Sequence, residues 1–125
     1  MNVPEELKYT KEHEWVLVND ETITLGITDY AQKELGDIVF LELPQVGEHF
    51  SKADAIGTIE AVKTVSDIYT PVSGEVVEIN EEVGDASELV NKDPYGEGWI
   101  VKIKLTDKSE LDKLLTAKQY LELIS

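Results

Sequence analysis

The sequence predicts a mainly β protein: two antiparallel sheets packed as a small sandwich, with short helices and a helical C-terminus. Three observations carry that prediction. Ile23, Leu25 and Ile27 alternate with Thr22, Thr24 and Gly26, the period of a strand with one buried face. Trp99, Val101, Ile103 and Leu105 alternate in the same way with Ile100, Lys102 and Lys104. A weak internal repeat supports both: Val46-Gly47-Glu48 recurs as Val83-Gly84-Asp85, and Gly57 and Gly98 each open a strand. The repeat implies two similar β halves related by a pseudo-twofold, with glycines marking tight turns that need φ > 0.

The elements follow in order. Trp15–Val18 is an apolar run, and Asn19-Asp20-Glu21 supplies the turn into the alternating strand. Thr28 can N-cap a short helix with Asp29 in its first turn, and Gly36 ends it. Ile38–Leu43 reads as a strand stopped by Pro44. Ile56–Val62 and Ser73–Ile79 read as two strands flanking a lysine hairpin, and the alternating strand after Gly98 follows. At the end Leu111, Leu114 and Leu115 share a helical face, and Thr116 to Gln119 can form a capping box that restarts a helix through Leu121.

With 125 residues, no linker and no low-complexity stretch, positions 1–125 read as a single domain. No apolar run approaches the roughly 18–20 residues needed to span a bilayer, and no basic, apolar-cored leader begins at Met1. The expectation is a soluble cytoplasmic protein. Without cysteine there is neither a disulfide framework nor a thiolate metal site, so thiol chemistry requires a cofactor. The 26 acidic residues against 11 lysines, with no arginine, give a net charge of −15. That field repels nucleic acid and anionic membranes. It suits solubility, and it suits steering toward partners with basic surfaces.

No catalytic constellation is evident. His13 and His49 are far apart, and His13-Glu14 lacks the second histidine of a zinc-binding helix, so neither a metal site nor a catalytic set is expected. What stands out is Ile59-Glu60-Ala61-Val62-Lys63-Thr64, followed by Pro71-Val72-Ser73-Gly74. A β-rich run climbs to one lysine, and a second descends after a Pro and a Gly. The pattern puts Lys63 at or beside a hairpin tip. A lysine there offers a primary amine on a flexible stem, which an acyl group can cap as an amide.

Gly47, Glu60 and Gly74, spaced about Lys63, resemble the swinging-arm hairpin of lipoyl and biotinyl carrier domains. Val62 and Thr64 replace the methionines usual beside a biotinyl lysine, so a biotin carrier is the weaker alternative. Glu60-Ala-Val-Lys-Thr-Val-Ser-Asp67 resembles the glycine cleavage H-protein family. So do Leu7-Lys8-Tyr9, His13-Glu14-Trp15, Gly26-Ile27-Thr28-Asp29, Ala31-Gln32, Leu35-Gly36 and the stretch from Asn91 to Trp99. Tyr30, where many members carry His, and Ala61, where Ser is common, depart from the pattern.

The resemblance implies a barrel-sandwich hybrid fold with lipoate attached to Lys63. It implies a carrier without catalytic activity of its own, serving a pyridoxal-phosphate glycine decarboxylase (P protein), a folate-dependent aminomethyltransferase (T protein) and dihydrolipoamide dehydrogenase (L protein). A lipoylating enzyme is a fourth partner, and the carrier itself is expected to be a monomer. Glu14 and Asp67 are the candidates for docking the loaded arm, whose ammonium needs a carboxylate and whose stem needs an apolar wall. Glu60 and Gly74 are the candidates for recognition by the lipoylating enzyme. A relay role, passing lipoate or octanoate to other complexes, would use the same Lys63.

Overall fold

Residues 2–125, which this computed structural model describes, form two antiparallel sheets with one core between them. The larger sheet contains β1 (Lys8–Tyr9), β2 (Glu14–Asn19), β3 (Thr22–Ile27), β5 (His49–Phe50), β8 (Gly74–Ile79) and β9 (Val101–Leu105), in the order β1-β2-β3-β9-β8-β5. The smaller sheet is β4 (Ile38–Glu42), β6 (Ala55–Ala61) and β7 (Val65–Tyr69), in the order β4-β6-β7. Val16, Ile23, Leu25, Val76 and Ile103 of the large sheet are buried, as are Ile38, Leu41, Ile59 and Ile68 of the small one. Each residue fully buried there stabilises the fold by about 1.5–3 kcal/mol relative to exposure.

Short helices close the edges. Helix α1 (Asp29–Leu35) is capped by Thr28, whose hydroxyl accepts the Ala31 N–H, and it ends at Gly36 with φ of 78°. Helices α2 (Glu81–Asp85) and α3 (Glu88–Lys92) cover β4. Helix α4 (Ala117–Ile124) has the predicted capping box, with Thr116 and Gln119 each satisfying the other's backbone N–H. A second cluster, Leu7, Tyr9, Trp15, Ala117 and Tyr120, ties α4 to the N-terminal strands. Within it the rings of Tyr9 and Tyr120 stack at 4.8 Å.

Several sequence expectations need correction. The strand returning from Lys63 is β7, not Ser73–Ile79, which forms β8 of the other sheet. The hairpin closes through the Ala61 N–H to the Thr64 carbonyl at 2.8 Å, so its loop is Val62-Lys63. That loop has none of the Gly, Asn or Asp residues that normally announce a two-residue turn, and Pro71 merely takes the chain from one sheet to the other. Ile100 is fully buried although the alternation put it on the solvent face. The segment Lys108–Lys113 is a 3₁₀ helix, and Leu115 leaves the face of Leu111 and Leu114 to join the second cluster through a bridge to Tyr9. Val46-Gly47-Glu48 lies in a turn and strand entry, whereas Val83-Gly84-Asp85 lies in α2, so the repeat does not mark equivalent structures.

A lysine hairpin beside an acidic, apolar-walled groove

The hairpin β6–β7 holds Lys63 in solvent at its tip, with exposed Val62 beside it. The Val62 N–H donates to the Asp37 carbonyl at 3.0 Å, which braces the tip against the link between α1 and β4. The lysine stem passes over Gly36, where an added Cβ would lie 3.5 Å from Lys63 Cε. Gly36 is therefore constrained twice, by its positive φ and by the stem above it.

Beside the hairpin lies a groove of about 310 Å³. Ile27, Ala31, Leu35 and Ile59 give it an apolar wall, while Glu14 and Asp67 face it from β2 and β7. The two arm-docking candidates from the sequence are thus brought to one site. They differ in character. Asp67 is exposed and accepts the Tyr69 hydroxyl at 3.4 Å. Glu14 is only 3% exposed. Its Oε2 accepts the Tyr69 N–H at 2.8 Å and its Oε1 accepts the Thr10 hydroxyl at 3.2 Å, so it ties the large sheet to the hairpin strand β7. Burial pushes its carboxyl up to about 8, against the opposing pull of those two hydrogen bonds.

The other candidates lie elsewhere. Glu60 is exposed on the outer face of the small sheet, in register with Phe40 on one side and Val65 on the other. Gly74 is buried in β8, and its close neighbours are the Lys104 carbonyl and Ile103 Cγ2, the latter 2.7 Å from an added Cβ. Among the described residues, no group of three or more His, Cys, Asp or Glu residues could hold a metal ion.

Sequence reasoning missed the groove's walls and a polar relay beside them. His13 lines the groove with φ of 67°, and its Nδ1 lies 2.9 Å from the Tyr120 hydroxyl. That hydroxyl lies 2.7 Å from Thr28 Oγ1. Tyr30, one of the departures noted above, packs its ring against His13 at 4.8 Å. Part of the wall carries a sequence signal, since Ile27 ends a strand whose apolar face was legible. The relay carries none, because its members are separated by about a hundred positions.

A hairpin offering an exposed amine at its tip, set on a two-sheet core beside an apolar groove, defines the class of swinging-arm carrier domains. Similarity narrows the class. The family model described as glycine cleavage H-protein matches residues 7–125. A glycine cleavage system H protein from Staphylococcus carnosus is 60% identical over 99% of this chain and 98% of its own length. One from Staphylococcus haemolyticus is 59% identical with the same coverage. The crystal structure of a glycine cleavage system H protein from Mycobacterium marinum superposes with a TM-score of 0.89 at 38% identity, covering 96% of this chain and 97% of that one. This chain belongs to the glycine cleavage H-protein family. No helix among its described residues is long and apolar enough to cross a membrane.

Proposed function

We propose that this chain is the lipoyl-bearing, non-catalytic carrier of the glycine cleavage system, modified at Lys63 and acting in the cytoplasm. The observation that carries the reading is an exposed amine at a hairpin tip beside a groove with an apolar wall and a buried glutamate. The residues present fit a lipoyl amide. The lysine stem already passes over the bare Gly36, and the wall of Ile27, Ala31, Leu35 and Ile59 suits an aliphatic chain. Lipoate on Nζ supplies a dithiolane, which accepts electrons and a one-carbon unit from glycine.

The protein's own residues hold and shield the cargo. The apolar wall excludes water from the arm, which suppresses hydrolysis of the cargo. Glu14 and Asp67 meet the cargo's ammonium. In the free carrier, burial keeps Glu14 protonated at neutral pH. An ammonium within reach favours the carboxylate, so Glu14 releases its proton to solvent as the cargo docks. The Tyr69 N–H and the Thr10 hydroxyl then serve as its standing donors. Tethering keeps each exchange local, at effective concentrations of about millimolar.

The partners in this reading are the P protein, the T protein, the L protein and a lipoylating enzyme that recognises Glu60 on the face beside Lys63. The test is the intact mass of natively expressed protein against Lys63→Arg, which keeps the charge and removes the primary amine. Wild type should carry one lipoyl group, and the folded variant none. A lipoyl adduct on a peptide lacking Lys63 would refute the assignment.

A further inference from the structure

The hydrogen bonds around His13 favour one protonation state over the other. Thr28 is fully buried, and its Oγ1 already accepts the Ala31 N–H at 3.1 Å. Among the described residues its hydroxyl has no acceptor but the Tyr120 oxygen at 2.7 Å, so the hydrogen is assigned there. Tyr120, also fully buried, then donates to its other partner, His13 Nδ1 at 2.9 Å. Nδ1 is thus an acceptor, and the ring is neutral with its hydrogen on Nε2. The reverse order would leave the Thr28 hydrogen buried without an acceptor, at the full desolvation cost of that donor.

The backbone supports a function for this arrangement. His13 sits at φ of 67°, held by its N–H to the Thr10 carbonyl at 3.2 Å and by its own carbonyl, which accepts the Thr28 N–H at 3.0 Å. Left-handed geometry is uncommon at a non-glycine residue, although His adopts it more readily than most, and here the two backbone bonds hold the ring's direction. The ring lines the groove together with Glu12, Glu14, Glu34 and Asp67, and the phenols of Tyr30 and Tyr120 pack on it. No lysine lines the groove among the described residues. A neutral ring there preserves the anionic field that holds an ammonium, whereas an imidazolium would oppose it.

We propose that the Thr28–Tyr120–His13 relay keeps His13 an uncharged positioning residue in the groove, so that an ammonium-bearing arm is retained at neutral pH and released when His13 takes a second proton. This rests on the reading of the groove as the arm's berth. Desolvation of the ring, which lowers its affinity for that proton, acts in the same direction. The Glu12 and Glu34 charges oppose it.

The first test is the ¹⁵N spectrum of the His13 ring in unmodified protein, which needs no arm. Nδ1 should be unprotonated and Nε2 protonated, and an Nδ1–H tautomer overturns the proposal. The second is formaldehyde release from glycine-loaded protein between about pH 6 and 8, the range in which a histidine titrates. Tyr120→Phe keeps the stack on Tyr9 and removes the donor to Nδ1 together with the acceptor of the Thr28 hydroxyl, so its urea midpoint is measured first to show that it remains folded. It should accelerate release roughly fivefold near the acidic end, the effect of one lost hydrogen bond, and leave release at the alkaline end unchanged. His13→Gln, which cannot take the proton, should flatten the acidic rise. Shielding by wild type with a pH profile identical to that of Tyr120→Phe overturns the proposal alone. A wild type that shields no cargo even at the alkaline end overturns the berth, and the proposal with it.

Discussion

Replacing Glu14 by Gln removes a buried ionisable group while keeping a side-chain oxygen for the Tyr69 N–H. Burial pushes the Glu14 carboxyl up to about 8, whereas an ordinary glutamate titrates at 4.5. Between those values the folded state binds more protons than the unfolded state, so the contribution of Glu14 to stability falls as pH rises through that window. At 1.36 kcal/mol per unit, the interval sets a ceiling of about 5 kcal/mol. Relaxation of the surroundings lowers the effective penalty of a buried charge, so about 2–3 kcal/mol of that ceiling is expected.

The assay is urea denaturation from about pH 4.5 to 9 on the Lys63→Arg background, which excludes lipoylation. The net charge of −15 itself destabilises the fold as pH rises. That effect is common to the two proteins and cancels in their difference. Glu14→Gln should therefore gain about 2–3 kcal/mol relative to its parent between the two ends of the window. A difference that stays constant with pH would mean that the Glu14 carboxylate is solvated in the folded state, and the argument for its protonation would fail.

Gly74→Val should lower the urea midpoint, because the new side chain meets the Lys104 carbonyl and Ile103 within the large sheet. Overpacking of that kind costs about 1–3 kcal/mol. Lipoylation per folded molecule should be unchanged; an unaltered midpoint would refute the close-approach argument. The second-order rate of cargo loading by the P protein should fall as salt rises, since exposed charges are screened within roughly 8 Å at physiological ionic strength. A rate independent of salt would leave solubility as the explanation for the acidic surface. Glu14→Gln combined with Asp67→Asn should hasten formaldehyde release from loaded protein while sparing lipoylation of Lys63 and reoxidation by the L protein. Equal release rates would place the berth elsewhere.

Local chemistry was legible in the sequence wherever one segment determined the outcome. The Thr28 cap, the Gly36 stop and the Thr116–Gln119 box each depend on residues within a turn of one another, and each forms as read. Strands with a single buried face were equally plain. Features set by distant residues were not. Ile100 is buried because its N–H pairs with the Leu25 carbonyl and the entry to β9 is covered, not because of its place in an alternation. The hairpin loop was hidden because Val62-Lys63 lacks turn residues, so its position is set by pairing of β6 with β7 and by the Asp37 carbonyl. Glu14 was recognisable as a candidate but not as buried, since its burial depends on β7 packing over the start of β2.

That burial connects fold to function. The groove is not a feature of either sheet alone: Ile59 and Asp67 come from the small sheet, Ile27 and Glu14 from the large one, and Ala31 and Leu35 from the helix between them. Glu14 bonds directly to the backbone of the strand that carries Asp67, so the two carboxylates are held relative to each other by the same interaction that joins the sheets. A berth built this way has no independent hinge. Its spacing changes only if the core between the sheets changes, and interiors packed like crystals resist that. The flexible part is the exposed lysine stem, which under the proposed function carries the acyl arm to other proteins. In that reading rigid walls and a mobile tether divide the work of a carrier, the first shielding the cargo between encounters and the second presenting it.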